Sequence, residues 1–405
     1  MTSFWRLLFL PGLVSFVGPL TGLGQIDPVK RELAQVGYNA AFQGHSPFSG
    51  YAFFYWNQPA FLNTNLALRL AIAPTYVDSE LGIRGVITPH TDVGIGVAGG
   101  GYADNYVEVR RGTFLPSESF TGYGGEAALS IYHLFNPGAQ IPLNGVVRGI
   151  GRFSTYERDE STAPTFQVPA DRNTVSVRTG LRWGGREPTL FPSLAMELSI
   201  WYEGQFRSRS DTYGFGDRKV ESQSHLFWAQ ALVAYQLPEL KHSFYLSLTA
   251  GTSIDADRFS AYRLGALLPL VSEFPLSLPG YYYQEISAKE FVLLGANYMV
   301  PLDRKQRWNF NVTGTTAAVD YLDGLEQPGN WHSGVGAGIL FKSPSWKVMV
   351  GYAYGVDALR SRGPGAHSIG VLVQLDWEQA KEALLNPQSP GLLRGLQQFI
   401  GLFGS

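Results

Sequence analysis

From about residue 36 to Trp377 the chain alternates apolar and polar residues with a period of two, and this rhythm narrows the fold more than any other feature. Val175, Val177, Thr179, Leu181 and Trp183 are interleaved with Ser176, Arg178, Gly180, Arg182 and Gly184. In the next segment Met196, Leu198, Ile200 and Tyr202 are interleaved with Glu197, Ser199, Trp201 and Glu203. Successive side chains of a strand point to opposite faces, so each segment is a ribbon with one apolar and one polar face. Soluble sandwiches also alternate, but ribbons of ten or more residues with aromatics near their ends suit a membrane better. A tilted membrane strand needs about 9–11 residues, and such strands must close into a barrel because lipid offers no partner to a bare sheet edge. The expected fold class is all-β: a transmembrane antiparallel β-barrel of about sixteen strands, with a short C-terminal amphipathic helix.

Within the 405 residues no Ser- or Pro-rich linker marks a domain boundary, which favours one repetitive architecture. The net charge of -2 points away from a nucleic-acid partner. Cysteine is absent, in keeping with an envelope protein that avoids unwanted oxidation. The amino terminus reads as an export signal over residues 1–24. Arg6 precedes an apolar run from Leu7 to Leu20, and Gly22 and Gly24 sit just before a cut ahead of Gln25. Residues 25–35 then form a short periplasmic segment, 36–377 the barrel, and 378–405 a periplasmic or interfacial tail. A signal followed by barrel alternation implies the bacterial outer membrane, with outer-membrane lipid and the insertion machinery as partners.

Pro, Gly, Asn and Asp punctuate the ribbons. The expected first strand is Gly37–Gly44. Leu66–Val77 and Leu81–Ile87 follow Gly50–Asn57, with Asp78 and Ser79 left to turn the chain between them. Trp308–Tyr321 is among the clearest ribbons, and a loop rich in Ser, Arg, Gly and Pro leads to a last strand at His367–Trp377. Connectors alternate short and long, as outer-membrane barrels place short turns in the periplasm and long loops outside. The longest runs from about Asp255 to Glu290, between the eleventh and twelfth strands.

That connector contains Tyr262-Arg263-Leu264-Gly265 and Leu278-Pro279-Gly280-Tyr281-Tyr282-Tyr283-Gln284-Glu285. Two strands later Gly334, Gly336 and Gly338 precede Ser343-Pro344, and Val350, Tyr352 and Tyr354 follow. Residues 258–377 thereby resemble the bacterial surface antigen superfamily, the BamA/TamA-type outer-membrane barrels. The resemblance implies sixteen strands, a glycine-rich fourteenth strand ending in Ser-Pro, and a loop after the eleventh strand that folds back into the lumen. It also implies a role with envelope protein or lipid clients. The family's lumen loop carries an Arg-Gly-Tyr motif whose Arg docks on acidic wall residues; here the three positions are Pro279, Gly280 and Tyr281. The periplasmic repeats of the family, the POTRA domains, have no counterpart in the few residues before the first strand.

Gly370, Val373, Leu375 and Trp377 fit the pattern by which the insertion machinery recognises a terminal strand. Beyond them Glu378 to Leu385 favours helix, and Leu392, Leu393, Leu396, Phe399, Ile400 and Phe403 repeat at helical spacing. Arg148, Arg152, Arg178, Arg182, Glu197 and Glu203 share the polar face of adjacent strands. They read either as mutually paired, water-facing charge or as a lumen wall that tunes passage and docks the loop. Gly94-x-Gly96-x-x-Gly99 matches a dinucleotide pattern on paper but lies within a strand, with no helix after it. The histidines show no metal-ligand spacing, and His332-Ser333 alone does not make a hydrolase. No catalytic, cofactor or metal residues are assigned. Three functions stay open: a surface-antigen-type barrel, structural or handling envelope protein or lipid; a porin-like channel for small solutes; and a barrel-embedded enzyme or adhesin.

Overall fold

The computed structural model describes residues 26, 29–101, 104–184, 196–237, 239–268, 274–361 and 363–385. Among these, sixteen antiparallel strands follow one another in chain order around a closed barrel. They are β1 (Arg31–Ala41), β2 (Gly50–Pro59), β3 (Leu66–Ile72), β4 (Tyr76–Ile83), β5 (Thr91–Gly100), β6 (Phe120–Leu134), β7 (Leu143–Arg158) and β8 (Arg172–Gly184). The second half comprises β9 (Met196–Arg207), β10 (Gln223–Gln236), β11 (Ser243–Ile254), β12 (Ile286–Pro301), β13 (Trp308–Tyr321), β14 (Trp331–Lys342), β15 (Trp346–Arg360) and β16 (Gly363–Asp376). The seam closes between β1 and β16, in register from Leu33 opposite Asp376 to Ala41 opposite Ser368. Short strands also occur in the loops, and one of them, Tyr262–Leu264 in the longest loop, pairs with the start of β12.

The period-two rhythm sorts the side chains. Val97, Leu129, Val175, Ile200, Leu248, Leu294 and Val335 stand exposed on the outer face, an apolar belt that suits lipid. Tyrosine and histidine meet on the same face, as at Tyr202–His225 and His242–Tyr298, where ring nitrogen and hydroxyl are 2.9 and 2.5 Å apart. Such pairs give each polar tip a partner at the membrane interface. The long connections after β5, β7, β9 and β11 leave the wall at one end, and the start of β1 and the end of β16 lie at the other.

Several strand boundaries differ from expectation. β1 begins at Arg31, inside the segment read as periplasmic, because Arg31 and Glu32 already pair with Asn57 and Trp56 of β2; outward Glu32 is charged and Ala34 small, so the stretch lacks the apolar alternation of the other strands. The turn between β3 and β4 falls at 73–75, where Ala73 N–H donates to Tyr76 C=O at 2.7 Å. Pro74 cannot donate to a ladder. Asp78 and Ser79 instead continue β4, and Ser79 Oγ donates to Val97 C=O at 2.9 Å. The stretch after Val356 is strand rather than loop through Arg360, resuming at Gly363. Trp377 opens α1 (Trp377–Leu385) instead of ending β16. Salt bridges Lys30–Glu378 and Lys381–Glu32 hold this helix to the start of β1 at 2.5 and 2.9 Å. The export signal, the connector at 185–195 and the tail beyond Leu385 lie outside the described residues.

Candidate functional site

The loop between β11 and β12 turns inward as soon as it leaves the wall. Asp257 fixes the turn, accepting from the backbone N–H groups of Phe259 and Ser260 at 2.9 and 3.1 Å and pairing with Arg207 at 2.7 Å. After Tyr262–Leu264 the loop doubles back. Gly265 N–H donates to Leu276 C=O and Leu278 N–H to Ala266 C=O, each at 3.0 Å.

The lumen face of β14 to β16 is built to receive this loop. Gly334, Gly336, Gly351, Gly355 and Gly370 share that face. A Cβ added at Gly334 would stand 2.1 Å from Pro279 C=O, and one at Gly355 would stand 3.0 Å from the Tyr281 ring. Leu267 rests on Gly336, Gly351 and Gly370 in the same way, each at 3.1 Å from the added atom. Gly280 has φ +86, a conformation that L side chains rarely adopt, and its Cα lies where a Cβ would strike the Gly355 backbone. Gly334 of β14 and Gly355 of β15 thus form the floor on which Pro279, Gly280 and Tyr281 lie.

The loop is then locked by charge. Arg360 at the end of β15 donates to both Glu285 oxygens, at 2.8 and 3.1 Å, and its guanidinium lies 3.7 Å over the Tyr282 ring. Tyr282 N–H also donates to Glu285, at 2.6 Å. The pair is almost fully buried, with side-chain exposures of 3% and 0%. Burial pushes the Glu285 carboxyl above its ordinary range, while Arg360 and the Tyr282 amide pull the other way. In this lock the wall supplies the guanidinium and the loop the carboxylate. Sequence reading missed Arg360 because it placed the residue in a loop; the lone acid two residues after a run of three tyrosines was the available signal.

Around this lock lies a buried cluster of loop and wall side chains. Leu264, Leu278, Tyr281, Ile286, Phe291, Val319 and Tyr321 form one buried cluster with Trp201 and Trp228. Phe274 of the loop meets the two tryptophans with ring centroids 5.0 and 5.3 Å away. His332 is bracketed by Tyr281 and Tyr321, which bond to its two ring nitrogens. The loop also reaches β1: Leu268 N–H donates to Asn39 Oδ1 at 3.3 Å. Tyr282 O–H reaches Gln43 C=O, just beyond β1, at 2.8 Å.

Above the plug the remaining long loops interlock. Tyr106, Phe120, Tyr156, Phe166, Tyr213 and Val220 pack together with Phe259. Glu108, wholly buried, is paired with Arg110, Arg218 and Arg258 at 3.0, 3.5 and 3.3 Å. Burial holds Tyr106 and Tyr213 above the ordinary phenol range.

The charges singled out on the wall all face the lumen and pair locally. Arg178 meets Glu203 at 2.7 Å and Arg182 meets Glu197 at 3.3 Å. Arg148 reaches Glu80 at 3.9 Å, and Arg152 bonds Asp104 and Glu126. None of these pairings includes a described residue of the 255–285 loop, which meets β9 and β10 instead through Asp257, Tyr262 and Phe274. Of the terminal-strand residues, Val373 and Leu375 lie on the outer face, whereas Gly370 faces inward beneath Leu267 and Leu268. Gly94 and Gly96 lie in β5, where a Cβ at Gly94 would meet Glu80 and Tyr132. His332 and Ser333 point to opposite faces, and Ser333 Oγ instead meets Thr316 at 3.1 Å.

No protein-family model matches the sequence, and no curated protein matches it. Solved structures do match. CdiB from Acinetobacter baumannii has a TM-score of 0.58 at 9% identity, over 86% of this chain and 60% of that one. CdiB from Escherichia coli has a TM-score of 0.56 at 13% identity, over 86% and 64%. BamA from Haemophilus ducreyi lacking POTRA domains 1–3 has a TM-score of 0.53 at 11% identity, over 85% and 70%. The chain therefore spans less than two thirds of the two CdiB chains. At such identities the likeness is one of fold: this is a sixteen-stranded barrel of the BamA and CdiB kind.

Proposed function

We propose that the chain is an outer-membrane barrel that handles envelope proteins or lipids behind a closed lumen. The docked 255–285 loop carries this reading. Its buried cluster spans the interior from Trp201 and Trp228 to Ala358 and Ala366, and the loops above it leave their aromatic and ionic groups buried. A general pore needs a wide water path along the same axis. The glycine floor under the loop supports a designed plug, since each glycine forgoes a side chain that would fill the site. The resemblance in the loop and fourteenth strand points to clients of the envelope; catalysis forms no part of the reading.

Planar-bilayer recording tests it against the porin alternative. The intact protein is expected to conduct poorly, and removal of Leu267–Gln284 to raise single-channel conductance strongly. Porin-like conductance from the intact, correctly inserted chain would overturn the closed-lumen reading.

A further inference from the structure

Every neighbouring pair of wall strands except one is tied by the connector between its members. β1 and β16 are the two ends of the barrel, so their ladder, from Leu33 opposite Asp376 to Ala41 opposite Ser368, has no covalent tie. A short connector keeps parted strands close and favours their re-pairing. The seam lacks that help, and its resistance to parting depends on whatever else spans it.

Two residues of the 255–285 loop span it from inside. Leu268 N–H donates to Asn39 Oδ1 of β1 at 3.3 Å, while Leu268 Cγ lies over β16, 3.0 Å from where a Cβ on Gly370 would stand. Asn39 and Gly370 are direct partners in the ladder. Tyr282 reaches further. Its ring lies under the Arg360 guanidinium of β15 at 3.7 Å, and its hydroxyl donates to Gln43 C=O, just beyond β1, at 2.8 Å. Gln43 Oε1 in turn accepts from His367 N–H of β16 at 2.6 Å, and Phe42 N–H donates to His367 C=O at 2.9 Å.

The other end of the seam is fastened by α1. Asp376 caps this helix, accepting from Gln379 N–H at 2.9 Å, and the pairs Lys30–Glu378 and Lys381–Glu32 tie it to the start of β1. Both lysines are about half exposed, at 46% and 53%, and exposed pairs hold weakly. Leu268 and Tyr282 are buried, where a hydrogen bond is stronger. The outer half of the seam therefore relies on the loop.

We propose that the docked loop is the internal fastener of the seam, so that release of the loop and parting of the outer half of the β1–β16 ladder are linked. Such a link is a coupling free energy between two contacts of one segment. The inference goes beyond the closed-lumen reading, because it concerns the wall. A chain that conducts with its loop docked would overturn that reading and leave this one standing.

Hydrogen exchange of the full chain in dodecyl maltoside, read by mass spectrometry, tests it. Tyr282→Phe removes the hydroxyl and keeps the ring under Arg360. The amides of 39–43 and 367–370 should then exchange at least threefold faster than in the wild type. Those of 278–285, still held by Arg360 and Glu285, and those of the β6–β7 ladder should keep their rates. Removing Leu267–Gln284 deletes both contacts and should raise the seam rates at least tenfold, with β6–β7 again unchanged. A rise in the deletion chain alone supports the fastener and assigns it to Leu268. Should that chain fail to reach the folded, heat-modifiable form, Tyr282→Phe decides by itself. Wild-type seam rates in every folded variant, or an equal rise in the β6–β7 ladder, overturn the proposal.

Discussion

Removing the Arg360 guanidinium is the sharpest perturbation of the plug. In Arg360→Ala, Glu285 keeps its fully buried position and loses both charge-assisted bonds at 2.8 and 3.1 Å. Breaking a buried pair from one side costs about 3–5 kcal/mol. At about 1.4 kcal/mol per factor of ten, loop docking should weaken by roughly two to four orders of magnitude. Glu285 can recover part of this by taking up a proton, which its raised pKa already favours. The loss should therefore be larger at pH 8 than at pH 5. Replacing both partners by apolar groups, as in Glu285→Leu/Arg360→Met, should cost far less, since no charge is stranded. Hydrogen exchange of the 278–285 amides reads docking directly: fast exchange is expected in the single variant and near-native protection in the double. Native protection in Arg360→Ala would refute the reasoning, leaving the glycine floor as sufficient to hold the loop.

Gly334→Ala should loosen the same loop by about 1–3 kcal/mol through overpacking against Pro279 C=O, whereas Gly314→Ala, with open space around it, should not; thermal melts of the two variants make the comparison. Acid alone should not undock the loop. Glu285 has a folded pKa above its unfolded value, so its contribution to docking is fullest below the unfolded carboxyl range and falls as pH rises through the folded pKa; amide exchange at pH 5 and pH 8 checks the sign. Trp377→Asp should be tolerated, at about 0–1 kcal/mol near an interface, because Trp377 belongs to α1. Val373→Asp/Leu375→Asp, which places charge on the lipid face of β16, should block insertion as judged by heat-modifiable migration.

The barrel was readable because lipid imposes one rule on every strand: apolar outward, anything inward. Val175 to Trp183 show it plainly, and the sixteen-strand count and the position of the long connector followed from the same rule. Reading failed where that rule says little. In β1 the outward residues Glu32 and Ala34 carry no apolar signal, and only the pairing with β2 and β16 makes that stretch a strand. At β3 and β4 the wall is only 7 and 8 residues high, against 16 in β7, so a full-length ribbon was sought where a short one ends at Pro74. The lock was less legible still. Glu285 and Arg360 are 75 residues apart, and their meeting depends on the loop's path across three glycine-bearing strands. The pairs Arg178–Glu203 and Arg182–Glu197 could be placed on one face from alternation, but only the register shows them satisfying each other.

Cross-linking tests most directly whether the 255–285 loop lies on the inner face of β14 to β16. The chain has no cysteine, so a pair of introduced thiols reports without interference. Leu267→Cys with Gly351→Cys places them where the Leu267 side chain now comes within 3.1 Å of a Cβ at residue 351. In the inserted barrel the account predicts a disulfide on mild oxidation, protecting both thiols from maleimide, while Leu267→Cys with Gly314→Cys stays reactive. Two freely alkylated thiols at 267 and 351, in a barrel shown to be inserted, would contradict it.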